Sequence, residues 1–304
     1  MNDLKMDLGI NEDSKILIGL GDSFCAGSGS QPIEIWEKYN WSQWELSRTQ
    51  EATEWGYKNS FIQKLCDKHL KDYIPVNLGH GAKGNRFAIR ELFLNPKLNI
   101  EVAKEKIVIL VLSGIERLDF ADNICFLNSG GHTSTIWPYN HTNNKNDKLK
   151  AYSNWLRPDG KSLYNDEFVV SEFIFDLMML KNWCSLNNAK LLIVSGFDWT
   201  YDKESFKNIL SRKIDQSQHT DMVIENINLI LNKLPWEKFI KPMGFDTIMQ
   251  MLLHLEGDKQ QSYVSTIKTI SENHYITKCG HPSYKGHDIL SDVIYEKLKE
   301  FNYV

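Results

Sequence analysis

Two short segments near opposite ends of the chain hold residues that could do chemistry together. The first reads Gly21-Asp22-Ser23-Phe24-Cys25-Ala26-Gly27 and follows the apolar run KILIGLG at 15–21. A serine between a strand end and a helix start presents its hydroxyl at the edge of a sheet. Backbone N–H groups at such a helix start can stabilise negative charge on a substrate oxygen. The same serine could also be a plain helix N-cap. The second segment reads Cys279-Gly280-His281-Pro282-Ser283-Tyr284-Lys285-Gly286-His287. A residue before proline is disfavoured in a helix, which puts His281 in a loop ahead of the last helix. A neutral imidazole there can take a serine proton at neutral pH and return it to a leaving group. The pair points to Ser23 as nucleophile and His281 as general base. The turn is not the Gly-x-Ser-x-Gly elbow, because Cys25 stands two places after Ser23.

The elements that must position this pair alternate. KILIGLG (15–21), IPVNLG (74–79), KIVILVLSG (106–114) and AKLLIVSGF (189–197) read as strands. Helical spacing runs through 59–70, from about Asn85 to Leu94, through 168–186, and from Pro282–Gly286 to about Phe301. Strands apolar on both faces, alternating with helices, predict an α/β fold: a parallel sheet with helices on both sides. Ligands in such sheets sit beyond the carboxyl ends of the strands, so chemistry is expected just after Gly21, Gly79, Gly114 and Gly196.

Together the two segments resemble the SGNH/GDSL hydrolases, a family of esterases, lipases and carbohydrate deacylases with a flavodoxin-like three-layer α/β/α fold. The family's first block, Gly-Asp-Ser-(Leu/Phe), is similar to residues 21–24, and its last, His-Pro-(Ser/Asn)-x-x-Gly-His, to residues 281–287. The resemblance implies one domain over 14–304, with insertions at about 28–56, 121–165 and 200–275. It implies a serine ester hydrolase acting through a Ser23 acyl-enzyme on a small-molecule or carbohydrate ester, with no cofactor and no metal. It also implies an oxyanion hole built from the Ser23 N–H and a glycine of the second block, Gly84 or Gly81, with Gly84 preferred.

Two departures from the family pattern stand out. The third block, normally Gly-x-Asn-Asp, is Gly114-Ile115-Glu116-Arg117. An ionised Glu only accepts hydrogen bonds, so Glu116 cannot be the usual donor. Arg117, Ser113 or Asn85 could replace it. Secondly, the acid expected three residues before the histidine is Lys278. Either a Ser–His dyad operates or the acid comes from elsewhere, with Asp198 and Glu116 as candidates by position. These departures keep open an alternative: a catalytically weakened binding or structural protein, such as a virion or surface-assembly component. Acyl transfer to an acceptor other than water would use the same residues.

Composition narrows the remaining classes. The 304 residues carry a net charge of −4, with 42% hydrophobic and 24% charged residues, so a packed core is expected and no nucleic-acid footprint is. No stretch reaches the ~18 consecutive apolar residues of a membrane span. The first residues show no apolar signal region, which suggests a cytoplasmic or virion-associated protein. Cys25, Cys66, Cys125, Cys184 and Cys279 share no ligand spacing, so neither disulfides nor a zinc site is expected. Trp36, Tyr39, Trp41, Trp44, Trp55 and Tyr57 follow the serine loop and either pack the insertion or border the site. Asp22 is expected to orient the serine turn, His287 to be structural, and Met249–Leu255 to form a core or interface helix.

Overall fold

The computed structural model describes residues 8–38, 49–81, 84–94, 100–113, 118–121, 133–136, 166–196, 202–211, 220–257, 274–277 and 280–304. Its strands are β1 (Lys15–Gly21), β2 (Tyr73–Asn77), β3 (Glu105–Leu112), β4 (Leu118–Ala121), β5 (Thr133–Ile136), β6 (Ala189–Ser195) and β7 (Phe239–Ile240). Its α-helices are α1 (Ile33–Lys38), α2 (Gln50–Asn59), α3 (Phe61–Lys68), α4 (Asn85–Leu94), α5 (Asp166–Leu186), α6 (Lys203–Ser211), α7 (Thr220–Leu231), α8 (Ile248–Leu255) and α9 (Tyr284–Glu300).

Five strands form one sheet in the order β2-β1-β3-β6-β7, and every neighbouring pair is parallel. β4 and β5 form a separate antiparallel pair. Counted within the main sheet, the order is the flavodoxin-like one, with the chain reversing direction across the sheet between β1 and β3. β2 lies at one edge, where Pro75 is tolerated because, among the described residues, only one side of the strand is paired. β7, at the other edge, has two residues. It arises within 200–275, a stretch read from the sequence as an insertion, and it is too short to leave a periodic signal.

The apolar strands still obey a period of two. Ile16, Ile18, Leu20, Val108 and Leu110 join Ala88, Ile89 and Leu92 of α4 and Phe173, Leu177 and Leu180 of α5 in one core. Leu17, Ile107, Ile109 and Val111 join Phe61, Ile62 and Leu65 of α3, Met251 and Leu252 of α8, and Leu290, Ile294 and Leu298 of α9 in the other. Helices cover both faces, giving a three-layer α/β/α sandwich. The Met-rich segment is thus a core helix. Among the described residues no helix is long and apolar enough to cross a membrane. Cys25, Cys66 and Cys184 are buried free thiols, and Cys125 and Cys279 lie outside the described residues.

One close approach fixes α2 on the sheet's carboxyl edge. Gly27 has φ +79°, and a Cβ there would lie 2.0 Å from the Gly56 carbonyl oxygen of α2. Gly27→Ala therefore adds a left-handed-backbone penalty to a steric clash. It is expected to cost about 2–4 kcal/mol of stability, seen as a lower urea midpoint at unchanged slope.

Candidate active site

Ser23 sits in the turn that follows β1, at the point where the strand order reverses. The Asp22 side chain is fully buried, and its Oδ1 accepts the Phe24 N–H at 3.0 Å. A short carboxylate bonding two residues along stabilises such a turn. The Asp22 and Ser23 carbonyls accept the Ala26 and Ser28 N–H groups at 3.0 and 2.9 Å. Phe24 anchors the turn in the core.

Asn77, at the end of β2, fastens this turn to its neighbours. Its amide nitrogen donates to the Cys25 carbonyl at 2.8 Å and to Ser60 Oγ at 3.0 Å. Its Oδ1 accepts the Gly79 N–H at 2.9 Å. Tyr57 of α2 donates its hydroxyl to the Gly79 carbonyl at 3.0 Å. A Cβ on Gly79 would lie 2.6 Å from the Ala26 nitrogen, so only glycine lets the β2 loop approach this closely. Sequence reasoning missed Asn77. The signal was a lone amide closing an otherwise apolar strand, two residues before a glycine.

His281 is held by its backbone. Thr277 N–H donates to the His281 carbonyl at 2.8 Å, and the His281 N–H donates to Thr277 Oγ1 at 3.2 Å. Gly280, at φ +80°, makes the tight turn between them. Ser283 then caps α9 by accepting the Gly286 N–H at 3.0 Å. The loop thus leaves little freedom to the histidine before its helix begins.

These two loops bring His281 Nε2 to 2.7 Å from Ser23 Oγ. Ser23 is 6% exposed and His281 7% exposed. The His281 ring tilts against Phe24 with centroids 5.6 Å apart. For Nε2 to accept the hydroxyl proton, the other ring nitrogen must carry the imidazole's own proton. Such an arrangement can activate a hydroxyl for attack and later return the proton. Cys25 is no rival nucleophile: burial pushes its thiol well up, which disfavours the reactive thiolate.

The other candidates fall in different places. Gly84 is buried at the start of α4, where its carbonyl accepts the Ala88 N–H at 3.3 Å. Gly81 is exposed, and among the described residues, its chain neighbours aside, no atom lies within 4 Å of where a Cβ would stand. Asn85 is buried and latched to the end of β3. Its Oδ1 accepts the Ser113 N–H at 2.8 Å and the Ser113 hydroxyl at 3.2 Å, while its nitrogen donates to the Ser113 carbonyl at 3.3 Å. Next to it, Arg86 pairs with Glu172 and, at 3.0 Å, with Asp176, tying the start of α4 to α5. Glu116, Arg117, Asp198 and Lys278 lie outside the described residues, as do Tyr39, Trp41 and Trp44. Trp36 is buried in α1 and Trp55 is 36% exposed on α2. His80 lies edge-on to Phe87 at 5.0 Å. Among the described residues no three His, Cys, Asp or Glu side chains are grouped to hold a metal ion.

No family model and no curated protein matches the chain. Among solved structures it is similar to a psychrotrophic esterase, EstA, from Pseudoalteromonas sp., at 12% identity and TM-score 0.42, over 96% of this chain and 100% of that one. It is also similar to an acetyl xylan esterase, AlAXEase, at 13% identity and TM-score 0.36, over 93% of this chain and 98% of that one. A lipase, Lip_vut3, from a goat rumen metagenome matches at 12% identity and TM-score 0.36, over 93% of this chain and 97% of that one. Likenesses this loose carry no weight beside the sheet order and the geometry above.

His287, in the first turn of α9, supports the site from below. Its Nδ1 accepts the Phe61 N–H at 3.3 Å, and its Nε2 lies 3.4 Å from the Ser28 carbonyl. An amide N–H can only donate, so Nδ1 is bare and Nε2 carries the proton toward Ser28. Burial first, then the nearby Lys64 and His281, push its pKa down to about 3, against the opposing pull of the Ser28 carbonyl. Between about pH 6.5, where a free histidine titrates, and pH 3, the unfolded chain binds a proton that the folded chain refuses. The stability contributed by neutral His287 is therefore complete above pH 6.5 and falls as the pH drops toward 3. Gln at this position can accept and donate in the same sense without titrating. The stability of the wild type relative to His287→Gln is expected to drop by up to about 2 kcal/mol between pH 7 and pH 5, measured by urea unfolding.

Proposed function

We propose that this protein is a serine ester hydrolase. The observation that carries the reading is the buried 2.7 Å contact between Ser23 Oγ and His281 Nε2 at the carboxyl edge of the sheet. His281 takes the hydroxyl proton as Ser23 Oγ attacks the ester carbonyl. The tetrahedral intermediate collapses, the alcohol leaves with the proton from His281, and an acyl-serine remains. A water molecule, deprotonated by His281, then releases the acid and restores Ser23.

The developing oxyanion needs donors aimed at it. We assign two of them to the backbone N–H groups of Ser23 and Gly84. Gly84 is favoured over Gly81 because it is buried at a helix start, whereas Gly81 is exposed. The third donor is Arg117 or the amide of Asn85. Asn85 uses one N–H on Ser113, and an amide nitrogen has two hydrogens. Asp198 and Glu116 remain the candidate acids for His281; without either, the site works as a dyad. The substrate class is an acyl ester or a carbohydrate ester.

A fluorophosphonate probe tests the reading directly, because it captures only an activated serine. Wild type is expected to be labelled at Ser23, with labelling lost in Ser23→Ala and at least ~100-fold slower in His281→Ala. Labelling that persists in Ser23→Ala, or is absent from folded wild type, overturns it. With p-nitrophenyl acetate, loss of the true third donor is expected to lower kcat ~100-fold at nearly constant KM in either Arg117→Ala or Asn85→Ala.

A further inference from the structure

We propose that Gln31 is a positioning residue for the Ser23–His281 pair, acting through the turn at Gly27–Ser30. The inference rests on the hydrolase reading above and adds to it the part that sets the distance between the two groups.

The turn is a piece of backbone in contact with both partners. At one end, the Ser28 N–H donates to the Ser23 carbonyl at 2.9 Å. At the other, Gly29 presses on the histidine loop: a Cβ there would lie 2.4 Å from the Pro282 carbonyl oxygen and 2.8 Å from His281 Cβ. The backbone at Gly29, with φ +95°, therefore forms a wall against which His281 rests. A shift of this wall moves His281 relative to Ser23.

Gln31 holds that wall. Its Oε1 accepts the Gly29 N–H at 2.8 Å, and its Nε2 donates to the Ala52 carbonyl of α2 at 2.9 Å. α2 is itself seated against the turn, since a Cβ on Gly56 would lie 2.8 Å from the Ala26 carbonyl oxygen. Trp55 adds a second tie by donating its indole N–H to the Ser30 carbonyl at 3.0 Å. The amide of Gln31 thus transmits the position of a packed helix to the residue that touches the general base. An end-on amide suits this task because it accepts and donates at once. The expected effect is on the geometry of the reacting pair, read in kcat, and not on substrate binding, read in KM. Reacting groups displaced by about 1 Å can lose ~100-fold in rate.

The test compares wild type, Gln31→Met and Gln31→Glu. Met keeps length and apolar volume but removes both hydrogen bonds. Glu keeps the acceptor for the Gly29 N–H and gives up the donor to Ala52. Each variant is titrated with a fluorophosphonate to count competent serines, and kcat and KM for p-nitrophenyl acetate are measured per competent site from pH 5 to 9. Gln31→Met is expected to lower kcat per site by ~10-fold with KM within twofold, and to shift the acid limb of the kcat profile. Gln31→Glu, which keeps the acceptor for Gly29 but severs the tie to α2, is expected to lower kcat per site at least about threefold with KM within twofold. A merely structural role would reduce the number of competent sites and leave kcat per site and the pH limb unmoved. That result overturns the proposal, as does a Gln31→Glu variant with the wild-type kcat per site. If Gln31→Met does not fold, the Gln31→Glu rate decides: a kcat per site within about twofold of wild type overturns the proposal. Failure of the wild type to label at Ser23 instead removes the hydrolase reading, and is distinguished by that control.

Discussion

The rest of the site depends on one constraint: two backbone segments far apart in the chain must touch without side chains between them. Gly29 meets the His281–Pro282 backbone at a distance that leaves no room for a Cβ, and Gly27 meets Gly56 in the same way. These contacts tolerate little variation, because the atoms involved are main-chain atoms that cannot swing aside. The serine turn, the α2 helix and the histidine loop therefore behave as one packed unit. Hydrogen bonds from Asn77, Tyr57 and Thr277 then orient what the close packing brings together.

Much of the fold was legible in the sequence, for a physical reason. β1, β2, β3 and β6 are each buried by helices on two sides, so their sequences are short apolar runs that break at polar residues or glycine. α4 and α9 announce themselves by apolar spacing and, for α9, by Pro282 and the Ser283 cap. β7 was not legible: two residues cannot show a period, and its place follows from pairing with β6 at Val194 and Ile193. Of the helices of 200–275, α8 was legible in its Met-rich apolar run, whereas α6 and α7 were hidden in a stretch that lacked a strong motif.

The candidate site was legible where its chemistry needs particular side chains, and opaque where it needs backbone. Ser23 and His281 could be picked out as candidates because few residue types can serve as a nucleophile or accept a proton at neutral pH. Their supports could not, because Asn77, Gln31 and Thr277 are of types common on protein surfaces, and their contacts arise only where loops meet in space. Asn85 shows the limit from the other side. Its type suits an oxyanion donor, yet most of its amide is spent on Ser113, where it fastens the start of α4 to the end of β3. His287 read as structural from its place in the last helix, and both of its ring nitrogens face backbone partners.

The ends of the sheet carry a consequence of a different kind. A row of open backbone donors and acceptors on an outer strand is a template on which another chain can add a strand, and so a start for aggregation. Here β2 breaks that row with Pro75, which has no N–H to offer, and β7 offers only two residues. Among the described residues, neither margin offers a second copy a long run of donors and acceptors. The five-stranded sheet is thereby self-limiting: its own edges discourage the fibre-like growth that its very apolar strands would otherwise favour.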